Sequence, residues 1–415
     1  SARMPADVYR RNACGLCGGQ ETDLILHLAP TPAADDYVPV ERLNEVQEIY
    51  PLDLGLCRKC GHAQLLDVVS PETLFRNYIY LTASSPGLVE HFRQYAEQVL
   101  GRVEPAKGSL AVDIGSNEGV LLRFFQEGGM RVLGIDPARE IAQKAKDSGI
   151  ETLPTFFTSE LARQIKKERG PAALVTANNV FAHASDPNDF VAGLKALLAP
   201  DGRAILEFPH AVEMIAQGEF DTIYHEHVFY FTLTALEPLF ARHRLRLTSI
   251  ERTPLHGGSL RIFARHDSQE EDETVAALRA EEAKLGVNTL DYFRDFSAKA
   301  EALRTSLREH IANLKSEGKT LAAYGAAAKG STLLCFCGLT ADDLAFVADR
   351  SPHKQGKLMP GSHVPIVPAE ELAKRAPDVT LLLAWNFADE ILSQQQAYRD
   401  AGGEFLIPIP EVSLV

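Results

Sequence analysis

The chain has 415 residues, 45% of them hydrophobic and 24% charged, with a formal net charge of -14. This is a globular composition with length for roughly three domains. Its acidity excludes the basic footprint of a general nucleic-acid binder, although a local Lys or Arg can still hold a small anion. No apolar run reaches membrane-spanning length. The expectation is a cytoplasmic enzyme with neither membrane nor nucleic acid as partner.

Cys14-Gly15-Leu16-Cys17 and Cys57-Arg58-Lys59-Cys60 are two CxxC knuckles, each followed by a glycine, Gly18 or Gly61. A glycine there lets the backbone turn tightly and aim amides at thiolate sulfur. Four thiolates in two such pairs make a closed, tetrahedral, structural zinc site. Two disulfides or redox pairs are the competing reading, disfavoured in a cytosolic chain. This zinc-binding module is expected over residues 1–75, with His62 at the surface beside the metal. Cys335 and Cys337 lie in an apolar run and are expected in a core.

Beyond the module, residues 75–85 are aromatic and polar, and Tyr78, Tyr80 and Ser85 are candidate lid residues over a cleft. An amphipathic helix is expected over 89–100. Strand-like runs at 110–115, 130–135, 173–177 and 204–208 alternate with helical patterns at 120–127, 140–147, 160–169 and 190–198. That alternation predicts a doubly wound parallel sheet within residues 76–268. The runs 245–253 and 259–264 are close in sequence and should pair antiparallel at its edge.

The turn after the first of these strands runs Asp113-Ile114-Gly115-Ser116-Asn117-Glu118-Gly119. Gly115 permits close backbone approach to a ligand, and Gly119 opens a helix whose N-terminal amides can meet a carboxylate. Asp136 ends the second strand, where a carboxylate can accept ribose hydroxyls, and Asn178-Asn179 ends a later one. A nicotinamide cofactor is also compatible, yet Asn117 stands where the dinucleotide fingerprint has its second glycine.

Tyr224-His225-Glu226-His227 places four proton-handling or polarising side chains in an apolar context, IYHEHVFYF. Such groups against apolar walls are typical of acid–base sites. In a strand His225 and His227 share a face; in a helix Tyr224 and His227 do. A zinc role for the two histidines lacks a third ligand. His183, after the strand ending at Asn178-Asn179, should border the same cleft.

Residues 270–315 read as a charged helical connector. Residues 320–324 then form a strand, and Gly325–Ser331 opens a helix with small residues and Lys329, an anion-binding arrangement suited to a diphosphate. Asp349 and Arg350 end the strand 344–348, and 379–384 is a third strand, so residues 269–415 should hold the connector and a small Rossmann-like domain. Tyr324, Lys329, Asp349 and Arg350 are its candidate substrate-binding residues.

VDIGSNEG, GIDP and TANNVFAH, in that order, resemble the core of class I S-adenosylmethionine (SAM) methyltransferases. With the two knuckles, EFPH…YHEHVFYF and YGAAAKGSTLL…ADRSPHKQGKLMPGSHVPI, the whole chain resembles the sugar C-methyltransferases of antibiotic deoxysugar pathways. Its nearest likeness is to those acting on a dTDP-linked 3-amino-4-keto sugar in nitrosugar (tetronitrose) biosynthesis. The resemblance implies a Rossmann-like SAM core with Asp113, Gly115, Asn117, Gly119, Asp136, Asn178 and Asn179 at the cofactor. It also implies a dTDP-keto-deoxysugar held partly by the C-terminal domain, and His227 as the base with Tyr224 and Glu226 in its pocket. By position in the sequence, His183 can bond the keto oxygen or serve as a structural histidine, and His225 is the expected bystander; no obligate protein partner is evident, and a monomer is compatible with the sequence. Transfer to nitrogen or oxygen, or a non-catalytic zinc-ribbon protein that binds SAM or nucleotide sugar, are the rival readings.

Overall fold

The structure is a computed structural model and describes residues 7–76, 78, 81–254 and 258–415. Seven strands form the middle sheet, in the order Leu245–Thr253, Ser259–His266, Leu198–Pro209, Ala172–Asn178, Leu110–Ile114, Arg131–Ile135 and Thr152–Leu153. The last five run parallel, and the first two close the edge antiparallel. Leu110–Ile114 is buried along its whole length, as expected of a parallel strand covered by helices on both faces. The chain leaves this strand toward one edge and returns on its other side. The carboxyl ends of Leu110–Ile114 and Ala172–Asn178 therefore flank a topological switch point, where open α/β sheets bind ligands.

Helix boundaries follow their caps. The expected helix at 190–198 begins earlier, at Pro187. Asp186 caps it by accepting the Asp189 amide at 3.1 Å, and proline at the first position needs no donor.

The C-terminal sheet has the order Ile366–Pro368, Val347–Asp349, Leu321–Tyr324, Val379–Leu382, Glu404–Ile407 and Ser413–Leu414. All its pairings are parallel except the last. It too reverses direction at one point, between Leu321–Tyr324 and Val379–Leu382. The connector is two helices, Glu273–Leu285 and Leu290–Ser316. The longer buries Phe293, Phe296, Ala300, Leu303, Leu307 and Ile311, a stripe at three- and four-residue spacing. That stripe shares one apolar core with Leu26 and Leu52 of the N-terminal sheet and Leu333 of the C-terminal domain.

The N-terminal sheet is antiparallel and contains a strand from far along the chain. Its order is Phe229–Tyr230, Ala63–Leu65, Tyr50–Cys57 and Thr22–Thr31. The segment just past His227 is thus built onto the cysteine module rather than onto the middle sheet.

Candidate active site and zinc centre

The four cysteine sulfurs lie within 4.8 Å of one another, with Cys14–Cys60 at 3.7 Å and Cys17–Cys57 at 3.6 Å. A tetrahedron with metal–sulfur bonds of about 2.3 Å has edges of about 3.8 Å, so the cluster has the dimensions of a four-thiolate zinc site. None of the cysteines is in a disulfide. The amides of Leu16 and Gly19 point at Cys14 and Cys17 sulfur, each at 3.4 Å, and Gly18 and Gly61 take positive φ of 75° and 70°. Zinc here is structural, because sulfur fills all four positions. Among the described residues no other group of three or more His, Cys, Asp or Glu is spaced for a metal, and His225 and His227 do not join one.

His62 is not at the surface. It is fully buried, with its ring 5.4 Å from Phe231 and 5.5 Å from Phe229. Apolar stacking outweighs the imidazole's polarity, and both ring nitrogens lack hydrogen-bond partners. Gln64 ties the metal site to the same strand: its side chain donates to Cys14 sulfur at 3.1 Å, and its backbone pairs with Phe229.

Both switch points open onto one cavity of about 810 Å³. At the middle-sheet end, Gly115 has φ +71°, and a Cβ there would lie 2.3 Å from Val180 Cγ2. Gly119, at φ +84°, starts the helix Val120–Glu127. The Asn117 side-chain oxygen accepts the amides of Thr82 and Glu118, both at 3.0 Å. Asp136 accepts the Asn117 amide at 2.8 Å and the Ala138 amide at 2.9 Å. Asp113 accepts the Thr176 hydroxyl at 2.7 Å, and burial pushes its carboxyl up to about 7. Ser116 Oγ, both amide atoms of Asn178 and Asn179 Oδ1 are buried without partners, and all three residues line the cavity. Buried polar groups rarely stay unpaired. A cradle that pairs glycine turns with open donors and acceptors fits an adenosyl amino acid.

Tyr224–His227 is neither strand nor helix but a turn, closed by the His227 amide on the Tyr224 carbonyl at 2.9 Å. Its ends meet: the Tyr224 and His227 ring centroids are 4.2 Å apart, and the Tyr224 hydroxyl is 3.3 Å from His227 Nε2. Nδ1 of His227 faces the Thr222 carbonyl at 3.2 Å. A carbonyl only accepts, so the proton sits on Nδ1 and Nε2 is the unprotonated nitrogen, accepting from the Tyr224 hydroxyl in the cavity wall. Burial pushes His227 down to about 4, with the Lys329 ammonium adding to the effect. The imidazole is neutral at physiological pH.

Tyr224, Glu226, His227 and His183 all line the cavity. The His183 ring meets His227 edge-on at 4.8 Å, and its Nε2 has no partner. Burial pushes Glu226 up to about 8, helped by Asp35. Its Oε1 accepts the Asp35 amide at 3.3 Å, while Oε2 has no partner. His225 turns away from the cavity: its Nε2 donates to the Pro51 carbonyl at 2.8 Å and its ring packs on Tyr50.

At the C-terminal end, Tyr324, Lys329, Asp349 and Arg350 line the same cavity. Asp349 accepts the amides of Ala326 and Ser351, both at 2.7 Å, the same double clamp that Asp136 makes in the middle sheet. Arg350 is exposed at the rim and Tyr324 is buried. Lys329 is buried, donating to Asn386 Oδ1 at 2.9 Å. Tyr78 and Ser85 line the cavity; Ser85 also caps the helix Pro86–Val103. Tyr80 lies outside the described residues. Sequence reasoning missed Asp35, Asn386 and Thr222. Asp35 comes from a loop and Asn386 from the three-residue 3-10 turn Trp385–Phe387, both too short for periodicity, and Thr222 acts through its backbone carbonyl, which no residue pattern marks.

Three family models match in succession: a zinc binding domain over residues 14–75, a methyltransferase domain over 89–250 and a C-methyltransferase C-terminal domain over 254–410. C-methyltransferase NovU of Streptomyces niveus is 37% identical over 404 residues, covering 97% of this chain and 96% of the relative. A tRNA U34 carboxymethyltransferase of Pseudoalteromonas translucida is 30% identical over 135 residues, 31% of this chain and 38% of that one. Among solved structures, magnesium protoporphyrin IX methyltransferase of Synechocystis PCC 6803 with bound SAM matches 43% of this chain and 80% of its own, at TM-score 0.33 and 16% identity.

Proposed function

The chain belongs to the C-methyltransferase family of NovU and is a SAM-dependent enzyme with a structural zinc site, and from that premise we propose that it methylates C3 of a dTDP-linked 4-keto-deoxysugar. The sugar is of the 3-amino-2,3,6-trideoxy-4-keto type, and the setting is deoxysugar assembly for an antibiotic. The substrate class rests on the likeness of the EFPH, YHEHVFYF and C-terminal motifs to sugar C-methyltransferases. The observation that carries the mechanism is a neutral imidazole with its proton held on Nδ1 and its unprotonated Nε2, beside the Tyr224 hydroxyl, in the wall of a cavity shared by two switch points.

A sugar carbon becomes acidic only beside a carbonyl. The 4-keto group lets His227 Nε2 take the C3 proton, while the C–H electron pair moves through the ring carbon to the keto oxygen. SAM, when bound, supplies a methyl group for in-line attack by that carbon. Deprotonation then needs placement and anion stabilisation more than a strong base. Thr222 holds the imidazole tautomer. Tyr224 stacks on the ring and offers its hydroxyl, and Glu226 and His183 stand within the same wall as donors to the oxyanion. The proton passes from His227 to solvent after transfer.

The cofactor end uses Asp113, Gly115, Asn117, Gly119, Asp136, Asn178 and Asn179. The nucleotide end uses Tyr324, Asp349 and Arg350, with Tyr78 and Ser85 between them. In this reading the zinc module (1–75) supports the catalytic turn, the core (76–268) holds SAM, and 269–415 holds the nucleotide. The test is incubation with SAM and a dTDP-3-amino-4-keto sugar, read by NMR. A new methyl carbon on C3 is the expected result; methyl on nitrogen or oxygen, or no turnover across a panel of dTDP-4-keto sugars, overturns it.

A further inference from the structure

The helix Ala328–Cys337 starts at the C-terminal switch point, and a lysine in its first turn suggests a diphosphate ligand by sequence. The side chain goes elsewhere. Lys329 is only 8% exposed; its ammonium donates to Asn386 Oδ1 at 2.9 Å and sits 4.5 Å above the Trp385 ring. Trp385 in turn donates to Asp221 Oδ2 at 2.7 Å. Thr332, one turn along the same helix face, donates to the Ile223 carbonyl at 2.8 Å. Lys329 therefore lies along residues 219–224, the segment that leads into the catalytic turn and carries the Thr222 carbonyl.

We infer that Lys329 serves the reacting centre and not the diphosphate: its ammonium stabilises the oxyanion that forms on the substrate's carbonyl oxygen when His227 takes the neighbouring carbon-bound proton. This rests on the enolate reading above. The lysine keeps its own proton; it donates a hydrogen bond while the C–H pair moves to oxygen, and the proton removed ends on His227 Nε2.

Two buried acids stand behind the ammonium. Asp221 is fully buried and Glu219 is 2% exposed, and Asp221 Oδ1 and Glu219 Oε1 have no hydrogen-bond partner. The Asp221 carboxylate opposes the burial that lowers Lys329, while burial keeps the Glu219 carboxyl protonated at neutral pH. A buried cation so compensated is costly to build, and a diphosphate at the cavity mouth would not need it, since Arg350 is exposed there. Beside an oxyanion in a water-poor wall it has most effect. His227 is met by Tyr224 of its own turn, by the Thr222 carbonyl and by the His183 ring after the middle-sheet strand; Lys329 of the C-terminal helix acts on it through its charge, and Glu226 and Asp35 line the same cavity.

The test compares wild type, Lys329→Met, Lys329→Arg and the double variant Lys329→Met/Asp221→Asn, which removes both charges and keeps the wall neutral if the single variant misfolds. dTDP affinity is measured by calorimetry. Exchange of the C3 proton with deuterium oxide is followed by NMR with S-adenosylhomocysteine bound. Expected are dTDP affinity within about 3-fold of wild type, exchange slower by about 100-fold in the double variant, and partial retention by Lys329→Arg. In the variants without the ammonium, His227 gains a proton more readily, so the acid limb of the exchange profile moves to higher pH, and the plateau rate above that limb falls; a merely structural lysine would leave the plateau unchanged. Loss of dTDP binding with exchange preserved, or exchange within about 3-fold of wild type in the double variant, overturns the inference. Wild-type enzyme that exchanges no C3 proton overturns the enolate reading itself.

Discussion

The carbonyl oxygen of Thr222 lies 3.2 Å from Nδ1 of His227, and this one bond decides which nitrogen can act as a base. Thr222 ends a short 3-10 turn, Phe220–Thr222, which the C-terminal helix pins through Thr332 and Ile223. On the far side, Val228 donates to the Ala182 carbonyl at 2.8 Å, and Leu65 donates to the Val228 carbonyl at 2.8 Å. All three parts of the chain thus grip a turn of four residues. Histidine orientation at this site is a product of domain assembly.

Tyr224→Phe keeps the ring that stacks at 4.2 Å and removes the hydroxyl 3.3 Å from Nε2. The expected outcome is a fall in kcat of about 10- to 100-fold with SAM affinity unchanged. Steady-state kinetics with calorimetry checks it; an unchanged kcat removes the hydroxyl from the mechanism.

Gly115→Ala must force an L-residue to φ +71° and place a methyl 2.3 Å from Val180 Cγ2. Left-handed strain of about 1–2 kcal/mol and overpacking of about 1–3 kcal/mol both fall on the cofactor turn. SAM affinity should drop at least about 10-fold while dTDP affinity stays constant. Equal weakening of both ligands would mean the turn is not specific to SAM.

How much was legible beforehand follows from the kind of signal each feature leaves. The parallel sheets could be read because runs such as Leu110–Ile114 are apolar apart from one acid, Asp113, and lead into a glycine turn. The zinc site could be read because knuckle spacing is itself the geometry. His62 was placed wrongly, since a histidine beside a metal knuckle looks polar until Phe229 and Phe231 are seen to enclose it. The strand Phe229–Tyr230 is two residues long, too short for any alternation, so its membership in the zinc module left no trace. Asp221 carries no sequence signal, because its partner, Trp385, is 164 positions away.

The zinc module should therefore stabilise the catalytic turn. Chelation, or Cys57→Ser, is expected to lower the thermal midpoint by at least about 5 °C. It should also speed hydrogen exchange at the amides of Leu65 and Val228, which bond across the strand junction. Faster exchange confined to residues 14–60 would show that the metal site and the turn are independent.

Stability should also fall toward alkaline pH. Burial, with Asp221 adding, holds the Glu219 carboxyl up at about 9 against an ordinary value of 4.5. A raised folded value means its contribution is complete below pH 4.5 and is lost as pH rises from there to about 9. The slope is at most about 1.4 kcal/mol per pH unit. Glu219→Gln removes that titration, so its midpoint should decline less than that of wild type between pH 6 and pH 9. Parallel curves for the two proteins would contradict the assignment.

The central claim is that His227 removes a carbon-bound proton. The direct measurement is exchange of the C3 proton of a dTDP-3-amino-4-keto sugar in deuterium oxide, by NMR, for wild type and His227→Asn with S-adenosylhomocysteine present. The account predicts exchange in wild type and a loss of at least about 100-fold in the variant, with dTDP affinity retained. Exchange at the wild-type rate in His227→Asn would contradict it.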